Sequence, residues 1–278
     1  MPEEASPAPG EAGSASERVP ARPDRTLTFR RRLFSGLYRA GRSPWIERLI
    51  ACFLAPNYPA LALAQGEILV SSPRRVLAFT AHPDDLEFFC GGTLRRMALA
   101  GSRITAVVLT DGEKRGNRDG LAAQRQAEQW EAARLQGYES VTFLGLPDFG
   151  LPEDPRLERV LARAWDHAAP EVVFAFDPKE LVPQMANRDH KALGRAVIDL
   201  ARSRFTGGAQ VYLYGTRSPD VLVDITPVID DKLRAVKAHR SQMVYLDEAE
   251  TDGAIRLMGR VMAGRSGATY AEALFRLM

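Results

Sequence analysis

Cysteine is scarce in this chain, with only Cys52 and Cys90 among 278 residues. Two thiols cannot build a disulfide framework, and they fit a reducing, cytoplasmic setting. A dominant charge is also missing: 37 basic residues face 35 acidic ones, and a net charge of +2 argues against nucleic acid as the main partner. No apolar run is long and clean enough to span a membrane. The most apolar stretch, Trp45 to Ala64, contains Glu47, Arg48, Pro56 and Pro59, which a spanning helix of roughly 20 residues tolerates poorly. The first 25 residues lack the apolar centre of a signal peptide, so none is expected. No internal repeat is apparent. Histidine is limited to His82, His167, His190 and His239, so a metal site has few imidazoles to draw on.

The remaining composition, 45% hydrophobic and 26% charged, is that of a globular domain. Residues 1–24 are rich in Pro, Ser, Gly and Glu and read as a disordered tail. Residues 25–66 form a separate arm, with Phe29, Leu33, Phe34, Leu37 and Tyr38 at helical spacing. Seven arginines and one acid, Glu47, lie between Arg25 and Arg48. Such an arm either rests on an anionic membrane surface, giving a membrane-associated protein, or packs its apolar stripe on the main domain.

Residues 67–278 are expected to form one domain in which strands and helices alternate. Strands are expected at 76–80, 104–109, 141–144, 172–176, 211–214 and 221–224. Helices are expected at 92–100, 121–136, 155–168, 187–202 and 228–238. This pattern predicts an α/β fold, a Rossmann-like, mostly parallel sheet with helices on both faces. Sites in such sheets lie at the carboxyl ends of strands.

Directly after the first strand comes Ala81-His82-Pro83-Asp84-Asp85. Pro83 biases His82 toward an extended backbone at the strand end. Adjacent carboxylates in a turn point in different directions, so one can ligate a metal while the other faces its water. A histidine and an aspartate three apart, joined by one more histidine, make a catalytic zinc site with an open fourth position. Asn187-Arg188-Asp189-His190, after the strand at 172–176, brings His190 to the same sheet edge. His167, late in a helix, and His239, ending another, fit less well. Taken singly, such residues are usually hydrogen-bonded histidines or capping aspartates. Together they point to metal-assisted hydrolysis. A Gly-x-Gly-x-x-Gly turn would have to stand where HPDD stands in a dinucleotide-binding oxidoreductase.

Residues 81–94 (AHPDDLEFFCGGTL), TDGE at 110–113, Arg125-Gln126-Ala127-Glu128, LGLPD at 144–148, Asp189-His190 and AHRSQ at 238–242 resemble the LmbE-like, PIG-L-type N-acetylglucosaminyl deacetylases. The first motif is highly specific, and the resemblance spans about Arg74 to Gln242. It implies a Rossmann-like fold, Zn2+ held by His82, Asp85 and His190, and Asp84 as general base. It further implies sugar contacts through Arg125 and Asp148, and a small N-acetylated sugar conjugate as substrate. Oligomeric state is not implied. One departure stands out. The family often carries His-x-Asp-His here, whereas this chain has Asn187, with Asp189 available to orient whatever stands at 187. An amide can donate a hydrogen bond but cannot shuttle a proton. A second reading is therefore a catalytically weak or silent member that binds a glycan or a partner.

Overall fold

The computed structural model describes residues 61–114, 119–179, 187–204, 208–245 and 248–278. The tail at 1–24 and nearly all of the basic arm lie outside the described residues.

A seven-stranded sheet forms the centre, in the order β3-β2-β1-β4-β5-β7-β6. Its strands are β1 (Arg75–Thr80), β2 (Arg103–Thr110), β3 (Ser140–Leu146), β4 (Val172–Phe176), β5 (Gln210–Tyr214), β6 (Val221–Asp224) and β7 (Ala271–Arg276). Strands β3, β2, β1, β4 and β5 are parallel to one another, and β7 runs antiparallel between β5 and β6. The helices are α1 (Leu61–Val70), α2 (Asp85–Phe89), α3 (Gly91–Leu99), α4 (Leu121–Gln136), α5 (Leu157–Ala168), α6 (Arg188–Ser203), α7 (Ile229–Ala238) and α8 (Glu248–Ala263).

Strands β1 and β4 are apolar almost throughout because both faces are covered, as central parallel strands require. Helices α3, α4 and α7 pack together on one face, while α5 and α6 pack together on the other. The change of face follows from right-handed crossovers: the chain winds outward from β1 to β3, then returns to the centre as β4. Strands β1 and β4, paired in register Val76↔Val172 to Ala78↔Phe174, are therefore the switch point. A crevice opens there at the strands' carboxyl ends.

The expected elements are found with small shifts at their ends, and α4 has the expected bounds. It stops at Gly137, whose φ of 78° is left-handed and whose N–H caps the last turn. Four described elements, α1, α2, α8 and β7, were not anticipated. Helix α1 crosses the expected boundary at 66/67 and sets Leu69 and Val70 into the core. A Cβ on Gly66 would stand 1.9 Å from the Leu222 carbonyl oxygen, so glycine is what lets this helix lie against β6. Arg96 of α3 pairs with Glu67 at 2.6 Å across the same junction. Among the described residues, no helix is long and apolar enough to cross a membrane.

Candidate active site

His82 leaves the end of β1, and Asp85 opens α2 three residues later. Asp85 Oδ2 accepts the His82 backbone N–H at 2.9 Å and the Thr80 hydroxyl at 3.1 Å, and lies 3.2 Å from His82 Nδ1. His190, in the first turn of α6, places Nε2 3.4 Å from Asp85 Oδ1. Its ring lies flat on Phe176, with centroids 3.7 Å apart and planes inclined by 10°. The end of β4 thus fixes the plane of a histidine that begins the following helix. One ligand atom from each of His82, Asp85 and His190 lies within 4.8 Å of the others, as a common metal would require. Apart from its approach to Asp85, His190 Nε2 is buried without a hydrogen-bond partner, which suits an atom that donates to a metal. Two imidazole nitrogens and a carboxylate oxygen are a donor set suited to zinc.

Charge supports the same conclusion. Asp84, Asp85, Asp148 and Asp189 are all buried here, and among the described residues Arg125 is the one fully charged cation beside them. Buried carboxylates need pairing or a metal. Burial alone would lower the His82 pKa, but contacts with Asp148 (3.1 Å), Asp189 (3.4 Å) and Asp85 hold it well above the ordinary value. Burial would raise the Asp85 carboxyl, yet the charges and hydrogen bonds of His190 and His82 hold it far below the usual range. Asp85 is therefore ionised, as a ligand must be.

Asp84 turns the other way. Its backbone is left-handed, φ 94° and ψ −26°, a conformation that Asp tolerates better than most residues. Its carboxylate lies 3.5 Å from the Arg125 guanidinium. Burial pushes the Asp84 carboxyl up to about 6, with Arg125 opposing the rise and Asp85 adding to it.

Arg125 is almost wholly enclosed. It donates to the carbonyl oxygens of Gly112 at 3.0 Å and Pro83 at 2.5 Å. Gly112 has φ 61°, and a Cβ there would stand 2.1 Å from Arg125 Nη1, which accounts for the glycine in TDGE. Asp148 is equally enclosed: Oδ1 faces His82 Nε2, and Oδ2 accepts the Lys114 N–H at 3.1 Å. Asp189 accepts the N–H groups of Phe149 at 2.6 Å and Leu151 at 3.1 Å, tying the loop after β3 to α6. Asn187 caps α6, its Oδ1 accepting the Asp189 N–H at 2.8 Å. The small pocket over these groups is lined by His82, Arg125, Asp148, Phe149 and Asn187.

The eight residues picked from the sequence therefore converge on one crevice, while His167 on α5 does not join them. His82, Asp148 and Asp189 form a second cluster with metal-ligand spacing, although both Asp189 oxygens already accept backbone N–H groups. Two contributors were missed. Phe149, with φ 58° and 43% exposed, presents its ring at the pocket mouth. His239 is fully buried, with Nε2 3.1 Å from Glu87. It stands in AHRSQ, one of the motifs that carries the resemblance, and that placement was the available signal.

Comparison with known proteins agrees with this architecture. Residues 77–201 match the family model described as PIG-L, GlcNAc-PI de-N-acetylase. A conserved protein of Thermus thermophilus, of solved structure, is 31% identical; the match covers 74% of this chain and 95% of that one, with a TM-score of 0.63. The diacetylchitobiose deacetylase of Thermococcus kodakarensis is 28% identical over 222 residues, 72% of this chain and 82% of the relative. A probable N-acetyl-α-D-glucosaminyl L-malate deacetylase of Bacillus cereus is 29% identical over 193 residues, 61% of this chain and 84% of the relative. This chain belongs to the PIG-L, or LmbE-like, family, and the Thermococcus and Bacillus relatives are deacetylases of N-acetylglucosamine conjugates.

Proposed function

We propose that this protein is a zinc-dependent hydrolase that removes the acetyl group from a small N-acetylglucosamine conjugate in the cytoplasm. The observation that carries this reading is the meeting of His82, Asp85 and His190 beside a separate buried carboxylate, Asp84, which lies 3.5 Å from Arg125. Zinc bound there supplies a Lewis acid for the amide carbonyl and acidifies water to a pKa of about 7. Asp84 takes the proton from the attacking water and returns it to the departing amine, so that acetate and a free amino sugar are produced. Arg125 braces Asp84 and the loop carbonyls of Pro83 and Gly112. Asp148, beneath the pocket, keeps His82 oriented through its 3.1 Å contact with Nε2. Phe149 offers an apolar face for the ring. Release of primary amine from a panel of N-acetylglucosaminides tests the assignment. One member of the panel is expected to turn over, and zinc-loaded protein that releases no amine from any of them would favour the silent-binder reading.

Asn187 takes part through its amide nitrogen as well as its cap. If capping were its whole role, Asn187→Ala would cost about 1 kcal/mol of stability and leave the rate nearly unchanged. A donor to the developing oxyanion predicts a kcat loss of up to roughly 10²–10³-fold. Asn187→Ser, which keeps a capping oxygen, should then retain stability but lose rate. Asn187→His is expected to raise kcat with zinc content unchanged. Equal turnover in all four proteins would leave this residue as a cap.

A further inference from the structure

Asp84 is held by a strut that none of the site residues contains. Its left-handed backbone, φ 94°, is a strained conformation for a non-glycine residue and persists only where its surroundings enforce it. The Asp84 N–H points inward and donates to Gln129 Oε1 of α4 at 3.0 Å. An amide presenting its oxygen to that donor must turn its NH2 the other way, and Gln129 Nε2 donates to Glu87 Oε1 of α2 at 3.1 Å. The second Glu87 oxygen is 3.1 Å from His239 Nε2, just beyond α7. Gln129, Glu87 and His239 are each fully buried, and none lines the pocket. The order of donors has one direction. An N–H cannot accept, so each group dictates the orientation of the next, and a carboxylate at Glu87 places the His239 proton on Nε2.

We propose that Gln129 is a positioning residue for the hydrolysis. Through the strut Gln129–Glu87–His239 it fixes the backbone of Asp84, and so the direction in which that carboxylate meets the attacking water. This inference rests on the reading of Asp84 as the base. The strut joins three elements, and it gives a purpose to His239 of AHRSQ and to Gln129, which directly follows Arg125-Gln126-Ala127-Glu128. Displacement of a reacting group by about 1 Å from a remote change can cost 10²-fold in rate.

The test uses the zinc-loaded full chain with N,N′-diacetylchitobiose as probe, and the metal-free chain for a readout that needs no substrate. Gln129→Leu removes the acceptor and is expected to lower kcat roughly 10–10²-fold, with KM and zinc content unchanged. Gln129→Glu sets two carboxylates face to face and should lose as much. Adding Glu87→Gln to it restores a consistent chain: the carboxylate at 129 accepts from Asp84 N–H and from the new amide, whose oxygen accepts from His239. That double variant is expected to recover kcat to within about tenfold of wild type. A merely structural role would show as lost thermal stability with kcat intact, and that result would overturn the proposal. Amide hydrogen exchange at Asp84 should be protected in wild type and in the double variant, and fast in Gln129→Leu. Equal protection in all three would also overturn it, whether or not the probe turns over and even if Gln129→Leu is poorly soluble for kinetics. Asp84→Asn separates the two levels. Full activity in that variant removes the base assignment itself, whereas an inactive Asp84→Asn beside a fully active Gln129→Leu removes only the strut.

Discussion

Replacing Asp84 by Asn is expected to lower kcat by roughly 10²–10⁴-fold while the protein keeps its zinc, because a positioned general base is typically worth that much. Asn is the informative substitution. It nearly matches Asp in shape and accepts a left-handed backbone, so the strut and the fold should survive it. What it removes is the ability to take a proton. The same carboxylate predicts the acid side of the wild-type pH profile. A base must be deprotonated to act, and burial sets Asp84 near 6, so kcat/KM should fall about tenfold per pH unit below that value and level off above it. Steady-state rates of wild type and Asp84→Asn across pH 4.5–8.5 (an experimental range of about four units) check both statements. A variant of near-normal rate would move the proton transfer to another group. Glu87 is sealed behind the site, so Glu113, which accepts the Asp148 N–H, would be examined next.

His190→Ala is expected to remove the metal and with it essentially all turnover. The ring stacks on Phe176 and approaches Asp85. The Asp85 contact is made by the buried Nε2 at 3.4 Å, too long to satisfy that nitrogen fully. A nitrogen in that state costs stability unless something binds it, and a cation shared with His82 and Asp85 is what the surrounding geometry allows. With one of three protein ligands gone, metal analysis should show a fall from about one zinc per chain toward none. Loss of activity with zinc still at full occupancy would make His190 a substrate contact and shift the ligand role to the cluster of His82, Asp148 and Asp189.

Much of this site is legible in the sequence because its residues stand at ends of elements that announce themselves. Strand β4 is five buried apolar residues, and α4 ends on a glycine that needs a positive φ. His82 and His190 follow the two central strands, and the change of winding direction between those strands brings them together. Strand β7 is different. Its residues, Ala-Glu-Ala-Leu-Phe-Arg, favour helix by propensity, and its strand form is imposed by pairing with β5 on one side and β6 on the other. Its Glu272 is buried because it accepts from Gly92 N–H, Thr93 N–H and Lys232, a set of partners far away in the chain. Helix α2 has five residues, too few for a periodicity to register. His239 looks like an ordinary residue at a helix end, since its partner Glu87 lies 152 positions earlier. Asp189, next to a proposed ligand, is readable as part of the site, but its bonds to the loop after β3 depend on tertiary packing.

Metal removal and return is the most direct test of the central claim. Protein stripped with a strong chelator and assayed for amine release from the best N-acetylglucosaminide of the panel should be inactive. Stepwise addition of zinc should restore the rate linearly and saturate at about one equivalent per chain, as a single site with three protein ligands requires. Full activity in protein shown by elemental analysis to hold no metal would contradict the account.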